Sequence, residues 1–354
     1  MIVGTIREIK NNENRVGLTP DGVKELVQNG HRVLVQETAG IQSGYSDHDY
    51  SDAGAELVRD PADVAAGVDV LVKVKEPLRK EYYILDLMKG KTIFTYFHLT
   101  GIEKSVTKRL IENEITAIAY ETIEDENGKL PLLAPMSEIA GVASVQYAAE
   151  FLQKKHNGAG LTMGHITGAD LAHTVIIGGG VAGEFAARTA LGMGGYVTIF
   201  ELRDERIDEL RSLFDELFGP YISKNLEILK PGEPIYSEKI AKADVLIGAV
   251  LVAGARAPEV VTEDQIRSMK EGAVVVDISI DQGGCIWGSR PTDHEEPIYQ
   301  INGKVFSCVC NIPGQYARQS TQALTNATLP YLLEMANNGV IETMADSYNK
   351  DGRF

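Results

Sequence analysis

Residues 173–202 read HTVIIGGGVAGEFAARTALGMGGYVTIFEL. An apolar, β-branched run meets Gly178-x-Gly180-x-x-Gly183. A helix-forming stretch opens at Val181 and Ala182, and a second apolar run ends in Glu201. Strand, glycine turn, helix, strand and acid in that order predict a parallel βαβ unit of dinucleotide-binding type. Gly178 makes the tight turn, Gly180 lets a pyrophosphate approach the backbone, and Gly183 allows close helix–strand packing. The diphosphate then sits on the helix N-terminus, where N–H groups lack partners and the dipole favours anions. Glu201 is placed to bond the adenosine ribose hydroxyls and to repel a 2′-phosphate, which favours NAD over NADP. Arg203 is a mild counter-signal. The bland alternatives are an unliganded βα turn and a solvated acid at a strand end.

The same rhythm covers most of the chain. Strand-like runs at IVGTI, HRVLVQE, VDVLVKV, KTIFTYF and ITAIAYE alternate with helical stretches such as PDGVKELVQNG. After a long helical segment, SEIAGVASVQYAAEFLQKK, a second βα series starts at HTVIIG, and QSTQALTNATLPYLLEMANN near the end reads as another long helix. Alternating β and α predicts parallel sheets covered by helices. With 354 residues, 44% hydrophobic, two cores are affordable in length. The expected architecture is two doubly wound parallel-sheet α/β domains joined by long helices. A Rossmann NAD-binding domain over 137–308 is inserted in a discontinuous, flavodoxin- or Rossmann-like substrate domain over 1–136 and 309–354.

A formal net charge of −16 argues against nonspecific binding to nucleic acid or anionic lipid. No stretch reads as a signal peptide or membrane span, so a soluble, cytoplasmic protein is expected. Three cysteines, Cys285, Cys308 and Cys310, are too few for a disulfide framework, and no metal spacing is evident. They read as buried free thiols, with Cys308 and Cys310 on one side of a strand.

In doubly wound sheets chemistry lies beyond the C-terminal strand ends. Polar residues just after apolar runs are Arg15 in NNENRVGLTP, Lys75 in VDVLVKVKEP, His98 in KTIFTYFHL, Asp281 in VVVDISIDQGG and Asn311 in VFSCVCNIPG. Arginine and lysine suit the carboxylate of a 2-amino or 2-oxo acid. Histidine suits the proton transfers that follow hydride loss from its α-carbon. The alternatives are surface cations, a satisfied core histidine, and turn-capping roles for Asp281 and Asn311.

Read in order, REIKNNENRVGLTP, KVKEP, TYFHL, LAPMSEIAG, VIIGGGVAG, ISIDQGG and ALTNATLPY resemble the NAD-dependent alanine dehydrogenases, relatives of the nucleotide-binding subunit of proton-translocating transhydrogenase. The resemblance spans nearly the whole chain. It implies reversible oxidative deamination of L-alanine to pyruvate and ammonia with NAD, and a homo-oligomer, a hexamer. It also implies that Arg15 and Lys75 hold the substrate carboxylate, that His98 is the general acid/base, and that Asp281 helps activate water. Met136 and Ser137 would line the nicotinamide and phosphate side, and Asn311 would lie close to substrate or nicotinamide. The histidine after TYF separates the dehydrogenases from the transhydrogenase subunits. Departures fall at Val142, where the family usually carries arginine, and in GHITGAD, GPYISKNLEILKPGEPIY and IPGQYARQST. They touch cofactor choice and the mouth of the substrate site, and remove none of the catalytic groups. The competing readings are an opine-forming or lysine-type dehydrogenase, and an NAD(H)-binding subunit without turnover.

Overall fold

The computed structural model describes residues 1–98, 101, 103–252 and 255–351, with 220–223 and 346–351 described by their backbone alone. Leu99 of the TYFHL motif and residues 352–354 lie outside the described residues. The chain divides into two units, Met1–Met136 with Pro313–Phe354, and Ser137–Ile312.

Among the described residues, the first unit holds six strands: β1 (Ile2–Thr5), β2 (Arg32–Gln36), β3 (Glu56–Val58), β4 (Val70–Val72), β5 (Thr92–Thr95) and β6 (Thr116–Ala119). All are parallel, in the order β3-β2-β1-β4-β5-β6. The direction of winding therefore reverses between β1 and β4, which opens a crevice beyond their C-terminal ends. The helix Pro20–Gln28 starts where the sequence directs: Thr19 caps it, accepting from the Gly22 N–H at 3.2 Å, and Pro20 occupies the first turn, where its missing donor costs nothing.

The long helix Ala317–Asn338 belongs to this unit and braces the loop after β1. Thr321 Oγ1 accepts from the Val16 N–H at 3.2 Å and pairs with Ser43 Oγ at 2.8 Å. Ser43 Oγ also donates to the Asn14 carbonyl, and Asn14 Nδ2 donates to the Gly314 carbonyl. Buried hydroxyls on a helix thus fix the segment that carries Arg15.

The second unit holds β7 (His173–Ile177), β8 (Tyr196–Phe200), β9 (Leu226–Leu229), β10 (Val245–Gly248), β11 (Val274–Asp277), β12 (Tyr299–Ile301) and β13 (Lys304–Ser307). Their order is β12-β13-β11-β10-β7-β8-β9, parallel except for β12. Alternate residues feed opposite faces. Ile176, Ile199, Ile247 and Val276 join one apolar cluster, and Val175, Phe200, Leu246 and Val275 the other. Burial on both faces explains why these strands read as continuous apolar runs. Cys308 and Cys310 lie beyond the end of β13, the first buried and the second half-buried, so the expected shared strand face is not formed. All three thiols are free. Among the described residues no helix is long and apolar enough to cross a membrane.

Among the described residues Lys73 is the most deeply buried cation of the first unit, 1% exposed, and lies between Glu8 (3.1 Å) and Glu81 (2.9 Å). Burial pushes the Glu8 carboxyl above its usual range, and the Lys73 charge opposes that. Lys73→Met should leave two buried acids without their cation and lower the stability of this unit by about 3–5 kcal/mol. Urea unfolding followed by near-UV circular dichroism measures it; an unchanged midpoint would show that the acids do not need Lys73.

Candidate active site

In the first unit, the residues singled out in the sequence lie on loops that leave neighbouring parallel strands. Arg15 follows β1, Lys75 follows β4 and His98 follows β5. The Lys75 loop is set by Glu8, whose Oε1 accepts the Val74 N–H (2.7 Å) and the Lys75 N–H (3.2 Å) while Oε2 takes Lys73. Glu81 closes the far side of the turn by accepting the Leu78 N–H at 2.9 Å. Lys75 is thereby buried, with its Nζ 2.6 Å from His98 Nε2.

His98 has a left-handed backbone, φ +50°, uncommon for a residue with a side chain. A carboxylate holds it there. Glu121, just past β6, accepts the Phe97 N–H at 2.9 Å and the His98 N–H at 2.5 Å. The strand cannot continue, and the ring turns towards Lys75. An ammonium only donates, so Nε2 accepts and the ring proton belongs on Nδ1. Burial lowers the pKa of His98 from its ordinary value to about 2, and the nearby charges of Lys75, Lys10 and Arg15 add to the effect. Solvent at the 37% of the side chain left open screens part of that repulsion. The ring is neutral at physiological pH.

Arg15 is buried and clamped to Glu13 in a two-pronged pair, Nε–Oε1 2.7 Å and Nη2–Oε2 2.5 Å, while Nη1 points at Met136 Sδ at 2.9 Å. Burial works against its charge, but Glu13 outweighs it and holds the guanidinium above its usual pKa. Lys10 pairs with Glu76 at 2.6 Å. The cations of this region are therefore matched by acids that the sequence reading did not single out: Glu13, Glu76 and Glu121. The signal was present, because Glu13 lies two residues before Arg15 and Glu76 directly follows Lys75.

In the second unit, Gly178 has φ +103°, and a Cβ there would meet the Ala249 carbonyl oxygen at 2.4 Å. A Cβ on Gly183 would meet the Gly178 carbonyl oxygen at 1.8 Å, so only glycine permits this turn. Gly180 is different: a Cβ there would enter open space. It is also the N-cap of the helix Val181–Gly192 and supplies no side-chain cap. The N–H groups of the first turn, from Val181, Ala182 and Gly183, have no partner within the helix. An open, uncapped helix start fits a diphosphate.

Glu201 Oε2 accepts the Gly179 N–H, and Oε1 accepts those of Leu202 and Arg203. Burial works against its charge, yet the Arg203 side chain and these donors hold the carboxyl below the usual range. It is an anion that shapes the glycine loop. Ser137 is half-buried in the helix Ala134–Phe151. Asp281 is exposed after β11, and both its oxygens lie 3.4 Å from the Asn311 N–H. Asn311 has φ +56° and its backbone also hydrogen-bonds His294. The fully buried Asp277 organises that loop through the N–H groups of Ser279, Cys285 and Ile286 and the Ser289 hydroxyl. Among the described residues no group of three or more His, Cys, Asp or Glu side chains forms a metal site.

The family models "Alanine dehydrogenase/PNT, N-terminal domain" and "Alanine dehydrogenase/PNT, C-terminal domain" match residues 4–140 and 144–350. The alanine dehydrogenase of Mycolicibacterium smegmatis is 46% identical over 96% of this chain and 88% of its own length. That of Bacillus subtilis is 44% identical over 98% and 89%. A solved L-alanine dehydrogenase superposes with a TM-score of 0.91 at 43% identity, covering 99% of this chain and 94% of its own. A transhydrogenase from Sinorhizobium meliloti, 24% identical over 95% of both chains, shares the fold with a TM-score of 0.81. The chain belongs to the alanine dehydrogenase/PNT family.

Proposed function

We infer that this oxidoreductase catalyses the reversible NAD-dependent oxidative deamination of L-alanine to pyruvate and ammonium. The observation that carries the reading is the 2.6 Å contact between Lys75 and a neutral His98, in a chain matched over nearly its whole length by alanine dehydrogenases.

Arg15 and Lys75 bind the substrate carboxylate, the arginine in a plane already set by Glu13. NAD, held by Gly178, Gly180, Val181, Ala182 and Gly183 with Glu201 on its ribose and Met136 and Ser137 on its nicotinamide and phosphate side, supplies the hydride acceptor. Glu201, kept ionised, disfavours the 2′-phosphate of NADP. Once the α-carbon has become an imine, water must add and ammonia must leave. His98 is neutral, so it accepts a proton at Nε2 from the attacking water and returns it to the departing amine. Lys75 leaves Nε2 as its ammonium turns to the carboxylate. Asp281, with Asn311 beside it, takes the second proton-handling role. Alanine's methyl sets a small pocket requirement, and a methylene is discriminated by only about 1–3 kcal/mol, so close analogues are expected as minor substrates. A cytoplasmic hexamer completes the reading.

Absorbance of NADH with ammonium and a panel of 2-oxo acids tests it. Oxidation with pyruvate that requires ammonium is expected; turnover only with a larger oxo acid or amine would change the substrate, and binding without turnover would leave a non-catalytic NAD(H)-binding protein. His98→Ala should lose roughly 10²–10⁴-fold in kcat while NADH binding, followed by fluorescence, persists. Near-normal rates would remove His98 from the mechanism. Lys75→Ala should raise KM for pyruvate and alanine, since it removes a charge-assisted bond to the carboxylate. A fall in NADH affinity instead would assign Lys75 to the nucleotide.

A further inference from the structure

Glu76 follows Lys75 on the loop after β4, and its two oxygens are unlike. Oε1 receives Lys10 Nζ at 2.6 Å. Oε2 is buried, has no hydrogen-bond partner, and lies 3.8 Å from His98 Nε2. A carboxylate oxygen withdrawn from water without a donor is unfavourable and rare, and calls for an explanation in the chemistry around it. The same ring nitrogen already has Lys75 Nζ at 2.6 Å. Nε2 therefore stands between a donor it now uses and an acceptor it does not.

These are alternative partners. A bare Nε2 accepts from the Lys75 ammonium and offers nothing to a carboxylate. A protonated Nε2 cannot face an ammonium but can donate to Glu76 Oε2, and a movement of roughly 1 Å closes the gap to a charge-assisted hydrogen bond. The charged groups around the ring are Lys75, Lys10 and Arg15 on the cationic side, and Glu13, Glu76 and Glu121 on the anionic side. Of the acids, Glu13 is tied to Arg15 and Glu121 to the backbone of residues 97 and 98, whereas Glu76 keeps an oxygen in reserve.

We propose that Glu76 is a positioning residue that receives the Nε2–H of His98 when the ring is protonated, so that Nε2 passes from Lys75 to Glu76 as Lys75 engages the substrate carboxylate. The proposal rests on the reading of His98 and Lys75 given above. No covalent bond forms at Glu76. A proton from solvent adds to His98 when the anionic oxo acid has offset the local cations, and from there it goes to the oxygen that leaves the α-carbon during reductive amination. Glu76 accepts the N–H and takes no proton from it.

Two readouts test it. The first needs no turnover: oxamate, a non-reducible 2-oxo acid mimic, is titrated into the enzyme–NADH complex by calorimetry in buffers of different ionisation enthalpy. Wild type is expected to take up about one proton per site, His98→Ala none, and Glu76→Gln less than about half as much as wild type. No uptake by wild type, uptake that persists in His98→Ala, or equal uptake in Glu76→Gln overturns the proposal. The second is the pH profile of kcat for pyruvate with ammonium. Loss of the anion disfavours imidazolium, so the limb that requires protonated His98 should move about 1 pH unit or more towards acid in Glu76→Gln. In the double variant Lys10→Met/Glu76→Gln, which restores the net charge, the limb should stay displaced. Its return to the wild-type position would reduce Glu76 to a bulk electrostatic effect and overturn the proposal. If wild type does not turn over pyruvate, the proposed function falls, while the calorimetry still decides the role of Glu76.

Discussion

The arrangement of the first unit depends on carboxylates, Glu8 buried and Glu121 half-buried, that grip backbone N–H groups at strand ends. Glu8 holds the amides of Val74 and Lys75, and Glu121 those of Phe97 and His98. Each acid sits on one loop and fixes another. Parallel strands end with their N–H groups unpaired at the same rim, and an ionised carboxylate is a strong acceptor for two of them at once. The outcome is a pair of rigid turns that present Lys75 and His98 to each other. Lys73, beneath the loop, supplies the charge that lets Glu8 be buried at all. The Lys75–His98 geometry is thus a by-product of how the sheet edge satisfies its own polar groups.

The second unit reaches the same end by subtraction. Where the first unit fills its crevice with charged side chains, the loop after β7 removes side chains. A methyl on Gly178 or Gly183 collides with backbone, and one on Gly180 would enter open space. Glu201 then plays the part that Glu8 and Glu121 play in the first unit, an acid at a strand end that accepts from the neighbouring loop. The two doubly wound sheets use one topology to gather paired charges at the strand ends in one case and a bare glycine turn in the other.

The parallel, doubly wound character of the sheets and the main strands were legible because apolar runs buried on both faces leave a clear pattern. The short strand Glu56–Val58 was not. It has three residues, lies at the sheet edge and is never fully buried, so its side chains carry no periodic signal. The glycine loop was legible for a related reason, since a φ of +103° and a Cβ collision restrict the residue type directly. His98, Lys75 and Arg15 stood out as polar residues after apolar runs, and the structure brings Lys75 and His98 together in the first unit. Their partners did not stand out. Glu8 and Glu121 are remote in sequence from the backbone groups they hold, and Glu13 and Glu76, though close in sequence to Arg15 and Lys75, sit among charged neighbours and resemble a solvated surface. Only the fold shows that Glu8 and Glu13 are buried.

That pattern of hidden acids bears on how a chain of net charge −16 binds an anion. A cluster of bare cations would be neutralised by solvent ions and would destabilise its own loops by repulsion. Pairing Arg15 with Glu13 and Lys10 with Glu76 balances and orients the cations without an entering ligand. The neutral state of His98 follows from the same balance, because burial and the surrounding cations oppose a further positive charge. An incoming carboxylate weakens that opposition, so substrate binding and the protonation of His98 are coupled by sign alone. On the proposed reading, the neutral and protonated forms of this one ring would serve the two directions of a reversible reaction, and the charge of the bound substrate would set the balance between them.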